Sequence, residues 1–321
     1  MYVLSHARSL KRAPPFRAVY GDWFTDPFVV VEKPAGLVVQ SAFPNTPSVE
    51  STLQECGFRN VFFPHRLDKY TTGLLCVAFN KTTCSELAKS LMNRQWKKVY
   101  TVDCDVPFLR KRSANCDLND CVRGSMSAHT VGSLWDFETR SLVSTPVQID
   151  SFLARRSLQE TKTASLCSHL EALKSAVLEN RYEGSVCWCT SLRSRFRNVH
   201  PFLPDTMLYE SVRKSARGSD NQPPRIASSV FTLKSFDETS ATARFEVQLL
   251  TGRSHQIRIH SADSGFPIVR DPYYNFDYYS TLYHRINREN LVEETRMGLL
   301  ASFLAFPHPY TKEIIELHLQ P

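Results

Sequence analysis

Six apolar residues, Leu74-Leu75-Cys76-Val77-Ala78-Phe79, stand between Gly73 and Asn80-Lys81. The run has strand length and turn signals at both ends, so it predicts a buried strand. A polar elbow feeds it: Phe63-Pro64-His65-Arg66-Leu67-Asp68-Lys69-Tyr70-Thr71-Thr72-Gly73. The elbow puts Asp68 in a turn at the mouth of the strand. Turns fixed by rigid elements are where reactive side chains gather. Arg66 lies two residues before Asp68, and Thr71 and Thr72 offer hydroxyls after it. On these residues alone the commoner reading is a capped, ion-paired structural aspartate.

The rest of the chain narrows the chemistry. Its 321 residues suffice for one large domain or two ordinary ones. An apolar content of 42% and a charged content of 22% are those of a soluble globular protein. No apolar stretch reaches the length of a membrane span, so no membrane partner is expected. The net charge of +7 and the sequence pI of about 8.9 suit a polyanionic partner. The nine cysteines are scattered, with no C-x-x-C pair, and Cys187-Trp188-Cys189 has the wrong spacing for a zinc knuckle. They read as reduced thiols, and no metal site is expected. No Walker loop, G-x-G-x-x-G or internal repeat occurs.

Residues 1–21 hold Arg8, Lys11, Arg12 and Arg17 and no acid; Asp22 is the first carboxylate. Residues 1–24 are expected to be a basic leader or arm, and the acid-free residues 1–21 have the composition of a mitochondrial transit peptide. A disordered basic arm, or an arm lying on RNA phosphates, shares it. Without import, the protein would be cytoplasmic or nuclear. Residues 25–321 read as one domain interrupted by an insertion at about 150–224. Strands are expected at 28–31, 99–106, 229–233 and 243–249. Lys33-Pro34-Ala35-Gly36 is a turn, and Val38-Val39 resumes an extended run. A short helix at 48–56 is stopped by Gly57. Thr83 and Glu86 form a capping box for a helix with Leu87, Leu91 and Met92 on one face.

Within the insertion, 163–179 predicts an amphipathic helix with Leu166, Leu170, Leu173 and Val177 at helical spacing. Arg193, Arg195 and Arg197 alternate; in a strand they would share one face and track a phosphate backbone, and in a loop they would be solvated charge. Residues 215–224 read as a flexible linker. Residues 254–260 read as extended, with His255, Ile257 and Ile259 on one face and Gln256, Arg258 and His260 on the other. The two histidines then diverge and form no ligand pair. Tyr273, Tyr274, Tyr278, Tyr279 and Tyr283 lie in a polar loop, where packing is the preferred reading over base stacking.

Several blocks, in the same order, resemble the RluA-type family of RNA pseudouridine synthases. His65-Arg66-Leu67-Asp68-x-x-Thr71-Thr72-Gly73 is similar to its HRLDxxTSG signature, and Val30-Val31-Glu32-Lys33-Pro34-Ala35-Gly36-Leu37-Val38-Val39 to its "vvdKPaGlvv". Lys98-Val99-Tyr100 resembles its K-x-Y, and Leu250-Thr251-Gly252-Arg253-Ser254-His255-Gln256-Ile257-Arg258-Ile259-His260 its "TGRtHQIRvH". Leu304-Ala305-Phe306-Pro307-His308-Pro309 resembles the closing "LxFxHP". The blocks cover residues 26–106 and 225–321.

The resemblance implies an α+β pseudouridine synthase fold: a long, mostly antiparallel mixed sheet flanked by helices, with a central RNA-binding cleft. It implies conversion of uridine to pseudouridine, which breaks the N1–C1′ bond and joins C5 to C1′. No electrons leave and no phosphate moves, so no cofactor is expected. By resemblance Asp68 is the carboxylate that attacks covalently or assists removal of a ribose proton. Arg253 is the guanidinium that keeps it charged, and Tyr100 stacks on the uracil. The base must leave its helix to be reached, and Arg66 fills the gap. His65, Gln256 and Arg258 complete the expected RNA-binding set. Ribosomal RNA is the first expected substrate, transfer RNA the second, with ribosome assembly factors as further partners. The alternative is a largely non-catalytic assembly factor on the same fold, docking through the insertion. The chain departs from the family at Thr72 (Ser), at Arg270 before Asp271 (usually Gly), at Leu300 (often His) and in the insertion. The first three put fine positioning in question.

Overall fold

The computed structural model describes residues 12–41, 46–106, 117–127, 130–156, 208–212, 223–275 and 296–320. The chain makes two compact units, Met1–Val99 with Leu300–Pro321, and Tyr100–Leu299. Its strands, in order, are β1 (Ala18–Tyr20), β2 (Phe28–Lys33), β3 (Thr72–Ala78), β4 (Lys97–Asp105), β5 (Thr130–Val131), β6 (Trp135–Asp136) and β7 (Ser141–Leu142). There follow β8 (Val147–Arg156), β9 (Leu208–Val212), β10 (Arg225–Asp237), β11 (Thr242–Leu249), β12 (Leu299–Pro307) and β13 (Ile314–His318). The helices are α1 (Val49–Glu55), α2 (Lys81–Met92), α3 (Leu118–Ser125) and α4 (Gln256–Asp263).

In the first unit β3 is the axis. It pairs antiparallel with β2, Val30 opposite Cys76 and Lys33 opposite Gly73. On its other edge it pairs parallel with β12, Thr72 opposite Leu300 and Gly73 opposite Ala301. The β1–β2 and β12–β13 pairs are antiparallel. Every residue of β3 is buried, as the unbroken apolar run requires, because both faces of the strand are covered. Phe28, Val30, Leu74, Cys76, Ala78, Leu87, Trp96, Leu304 and Phe306 form the core beside it.

Helix α1 matches its expected position, and Ser48 caps it in a reciprocal box with Ser51. Helix α2 starts earlier than expected. Asn80, not Thr83, is the N-cap, its Oδ1 accepting from the Thr83 N–H at 2.8 Å. Thr83 is buried and its hydroxyl meets the Tyr310 hydroxyl at 2.6 Å, while Glu86 faces Lys89 and Lys312. Asparagine caps as well as threonine does, so the earlier residue captured the helix start. Leu87 is buried as expected, but Met92 at the helix end is 82% exposed. The extended run at Val38-Val39 reduces to one bridge, between Val38 and Ser48.

In the second unit the strands lie in the order β4-β11-β10-β8-β5, with β9 on β8. The pairs β10–β11, β8–β10, β8–β9 and β5–β8 are antiparallel, and β6–β7 is a separate hairpin. The class is α+β, with mixed and mostly antiparallel strand pairing. Strand β8 continues past residue 150 to Arg156, and β9 falls between 150 and 224. Both are sheet strands, so the expected insertion includes sheet structure at each end. The expected helix at 163–179, the arginines at 193, 195 and 197, and Tyr278, Tyr279 and Tyr283 lie outside the described residues, as do residues 1–11 of the leader and 215–222 of the linker; Ala18–Tyr20 of the leader is strand β1, paired with β2.

The segment expected to be extended at 254–260 is instead helical: α4 spans Gln256–Asp263. The alternation of polar and apolar residues was misleading because the polar members are not solvent-facing. Residues 256–262 are all buried, and each polar side chain described below has dedicated partners.

Candidate active site

Asp68 sits in the first unit, on a turn closed by main-chain geometry. The Thr71 N–H donates to the Asp68 carbonyl at 3.2 Å. Before the turn, Phe62 and Ala78 exchange two backbone hydrogen bonds, at 2.8 and 2.9 Å, which tie the elbow to the end of β3. Leu67 is buried and anchors the loop; Arg66 is exposed, and Asp68 is half-buried. After the turn Gly73 has φ +110, and a Cβ there would lie 2.4 Å from the Ala301 carbonyl oxygen. Only glycine lets β12 come this close, so the residue fixes the approach of the strand below the turn. Leu300, at the position where the family often has His, is buried opposite Thr72.

His65, expected in the RNA-binding set, is half-buried and bonded within the chain. Its Nε2 accepts a 3.0 Å hydrogen bond from the Cys76 N–H, and its ring meets Trp96 edge-on at 5.4 Å. Burial, with Lys98 adding to it, pushes its pKa down to about 3. The imidazole is therefore neutral at physiological pH, and it splices the elbow onto β3.

One residue was missed in role although its motif was visible. Lys33 is fully buried. Its Nζ donates to the carbonyls of Pro34 at 2.8 Å, Leu37 at 2.7 Å and Lys69 at 3.1 Å. The first two close the turn after β2, and the third holds the Asp68 turn against it. Burial lowers its pKa to about 8, and the negative charge of Asp68 pushes back upward. Lys33 thus latches the Asp68 turn through the Lys69 carbonyl. A lysine that ends a strand reads as surface; only the tight turn right after it hinted at a cation satisfied by carbonyls.

Tyr100 and Arg253 belong to the second unit. Tyr100 is a buried residue of β4, 8% exposed. Arg253 lies in the loop between β11 and α4, and its Nε donates to the Ile226 carbonyl at 3.0 Å. Burial and the positive charge of Arg225 both lower its pKa, yet a guanidinium stays charged.

Gln256, expected to touch RNA, is instead the clamp of this loop. Its Oε1 accepts from the Arg253 N–H at 3.0 Å and the Thr251 hydroxyl at 2.7 Å. Its Nε2 donates to the Ser228 carbonyl at 2.9 Å and Ser229 Oγ at 2.8 Å. Ser229 Oγ also meets His260 Nδ1 at 3.1 Å, and His260 Nε2 meets Ser151 Oγ at 3.0 Å. Burial pushes the His260 pKa down to about 4, against a smaller upward push from Asp150. His255 has a separate partner, the Tyr274 hydroxyl at 2.8 Å. The histidines are thus apart, for a reason other than strand alternation.

Arg258 is likewise withdrawn from solvent. It makes a two-pronged pair with Asp271, at 2.8 and 2.7 Å, with side chains 1% and 0% exposed. Its guanidinium carbon lies 4.9 Å from the Tyr273 ring centre and 5.0 Å from that of Tyr274. Those two tyrosines pack, as expected. Burial works to raise the Asp271 pKa, but Arg258 and the Tyr273 and Tyr274 N–H groups bring it below the usual carboxylate range.

Arg270 precedes Asp271 with φ +58. The turn keeps the left-handed conformation that a glycine would supply, at a side-chain cost of about 1–2 kcal/mol. Arg270→Gly should raise stability by roughly 0.5–1 kcal/mol once the greater freedom of glycine in the unfolded chain is subtracted. Thermal unfolding checks this, and a lower melting temperature would contradict it.

Among the described residues no group of three or more His, Cys, Asp or Glu side chains is placed to hold a metal ion. Asp68 is half-buried on a turn latched by the buried Lys33, and Arg253 lies on a loop clamped by the Gln256 carboxamide. The fold around them is that of a pseudouridylate synthase domain. The solved structure of human RNA Pseudouridylate Synthase Domain Containing 1 matches 97% of this chain and 84% of that chain, with a TM-score of 0.52 at 18% identity. The family model for RNA pseudouridylate synthase matches residues 27–263, and the chain belongs to that family. Members of the family are isomerases. The chain is similar to tRNA pseudouridine synthase C of Vibrio cholerae, 23% identical over 92% of this chain and 86% of that protein. It is also similar to ribosomal large subunit pseudouridine synthase D of Buchnera aphidicola, 37% identical over 21% of this chain and 22% of that protein. The match to that protein, and to several other relatives, spans about a fifth of their length.

Proposed function

We propose that this chain isomerises uridine to pseudouridine in structured RNA, with Asp68 as the carboxylate that acts at the sugar. Tyr100 serves as the stacking partner of the uracil, Arg253 as the cation of the site, and Arg66 as the side chain that fills the gap left by the target base. The observation that carries the reading is the Asp68 turn. Lys33 latches it from beneath and Gly73 admits β12 below it. A charge-bearing turn so heavily braced suits a carboxylate whose position sets a rate. The exposed Arg66 fits a side chain with a partner outside the chain. Ribosomal RNA is the first substrate and transfer RNA the second. Both appear in the names of the relatives, and the net positive charge suits either. Mapping pseudouridine across cellular RNA tests the proposal. Sites present with the wild-type protein should vanish in cells that carry only Asp68→Asn; an unchanged map would reject it.

The acid-free leader supports action in mitochondria, with ribosome assembly factors there as further partners. Deleting residues 1–21 should leave a tagged protein outside mitochondria, and unchanged localisation on imaging would reject the assignment.

A further inference from the structure

Helix α4 meets the sheet of the second unit through one face. Gln256, Ile259 and His260 share that face at helical spacing. Ile259 packs with Leu153 of β8 and Ala227 of β10. Ala227 lies opposite Ser151, and Ser229 opposite Ile149, so both serines stand on the same side of the sheet as that apolar contact. Gln256 and His260 rest on them. Gln256, Ser229, His260 and Ser151 are all buried, and buried donors of this kind need acceptors.

The directions of their hydrogen bonds are forced from one end. The Arg253 N–H can only donate, so the Gln256 atom that meets it is the oxygen. The Ser228 carbonyl can only accept, so the Gln256 nitrogen faces it. That nitrogen also donates to Ser229 Oγ at 2.8 Å. The Ser229 hydroxyl hydrogen then goes to its one other partner among the described residues, His260 Nδ1, at 3.1 Å. With Nδ1 accepting, the neutral imidazole carries its proton on Nε2 and donates it to Ser151 Oγ at 3.0 Å. A chain of fixed direction thus runs from the Arg253 backbone to β8.

Arg253 hangs on the end of this chain. The loop that carries it, between β11 and α4, has no regular structure of its own. Gln256 ties it at the Arg253 amide and the Thr251 hydroxyl, and that hydroxyl also accepts from the Ser228 N–H at 2.9 Å. We propose that Ser229 and His260 are positioning residues for Arg253: with Gln256 they fix the seat of α4 on the sheet, and through it the backbone that presents the guanidinium. Both are completely buried, so neither reaches a substrate. The proposal rests on the reading of Arg253 as the cation of the site. Ile259, with Leu153 and Ala227, keeps the helix on the sheet when one polar link is lost.

The test uses the full-length protein with nitrogen-15-labelled histidine. In the wild-type spectrum the His260 ring should show its proton on Nε2 and a bare, accepting Nδ1; a proton on Nδ1 would overturn the chain. Ser229→Ala should speed hydrogen exchange at the Arg253 amide roughly tenfold. On an RNA hairpin copied from a site in the cellular map, it should lower kcat roughly tenfold and leave KM within about twofold. Ser229→Thr keeps the hydroxyl and should restore both values. Each variant is assayed well below its melting temperature, where a serine that only stabilises the fold would leave kcat unchanged. Ser151→Ala, which removes the far acceptor, should lower kcat in the same direction and serves if Ser229→Ala does not fold. An active wild type with unchanged kcat in these alanine variants would overturn the proposal. A wild type that forms no pseudouridine in any cellular RNA would reject the enzymatic reading instead, and the tautomer and the Arg253 exchange rate would still decide the chain.

Discussion

Purified Asp68→Asn protein should bind structured RNA within a few-fold of wild type and form pseudouridine at least about a thousand-fold more slowly, roughly 4 kcal/mol of barrier. The two effects separate because the turn and the reaction use different atoms of the residue. The turn is closed by the Asp68 carbonyl and braced through the Lys69 carbonyl, and asparagine keeps both. Its amide nearly matches the carboxylate in shape. It cannot carry the negative charge of a carboxylate, and it offers no nucleophilic oxygen. Single-turnover conversion of an RNA found by the cellular map is the measurement. A near wild-type rate would remove Asp68 from the mechanism.

Asp271→Asn should cost stability rather than chemistry, by about 3–5 kcal/mol. The Arg258 guanidinium is 1% exposed and held by both carboxylate oxygens. With the negative charge gone, a desolvated cation stays between two tyrosine rings that offset only part of its lost hydration. The damage would be centred on α4 and the loop that carries Arg253. For a protein of this size the melting temperature should fall by roughly 10 °C. Replacing the pair together, with Arg258→Met and Asp271→Leu, should recover much of that loss, because no charge is then buried alone. A drop of less than about 1 kcal/mol for Asp271→Asn would mean that water reaches the guanidinium.

The contrast between these residues also explains what the sequence made legible. Strand β3 was readable because its side chains are apolar on both faces, and burial is the only stable fate of such a run. The Asp68 turn was readable because Gly73 and the two threonines punctuate the entry to that strand. Helix α4 was not. Gln256, Arg258 and His260 look like a solvent face, but each is buried with its own partners, and polarity stops reporting direction once that happens. Lys33 was hidden for the same reason, as was the neutral His65. The start of α2 was missed by a competition between two good caps three residues apart. Site residues named through family likeness fell into two kinds. Arg66 is exposed and Arg253 is anchored through its Nε, whereas His65, Gln256 and Arg258 hold loops in place.

The parallel pairing of β3 with β12 sets a timetable. The Asp68 turn is part of a unit whose N-terminal portion ends at Val99 and whose remainder begins at Leu300. A ribosome making about 5–20 residues per second takes on the order of 10–40 s to cover the roughly 200 residues between them. Through that interval the apolar edge of β3 that will meet β12 has no partner strand. Gly73 has no Ala301 backbone against it. The turn is therefore completed only after Ala301 has been made. A message broken before the Leu300 codon is reached yields a product that carries Asp68 without the strand that seats it. The same delay makes the nascent β3 edge a natural client for chaperones.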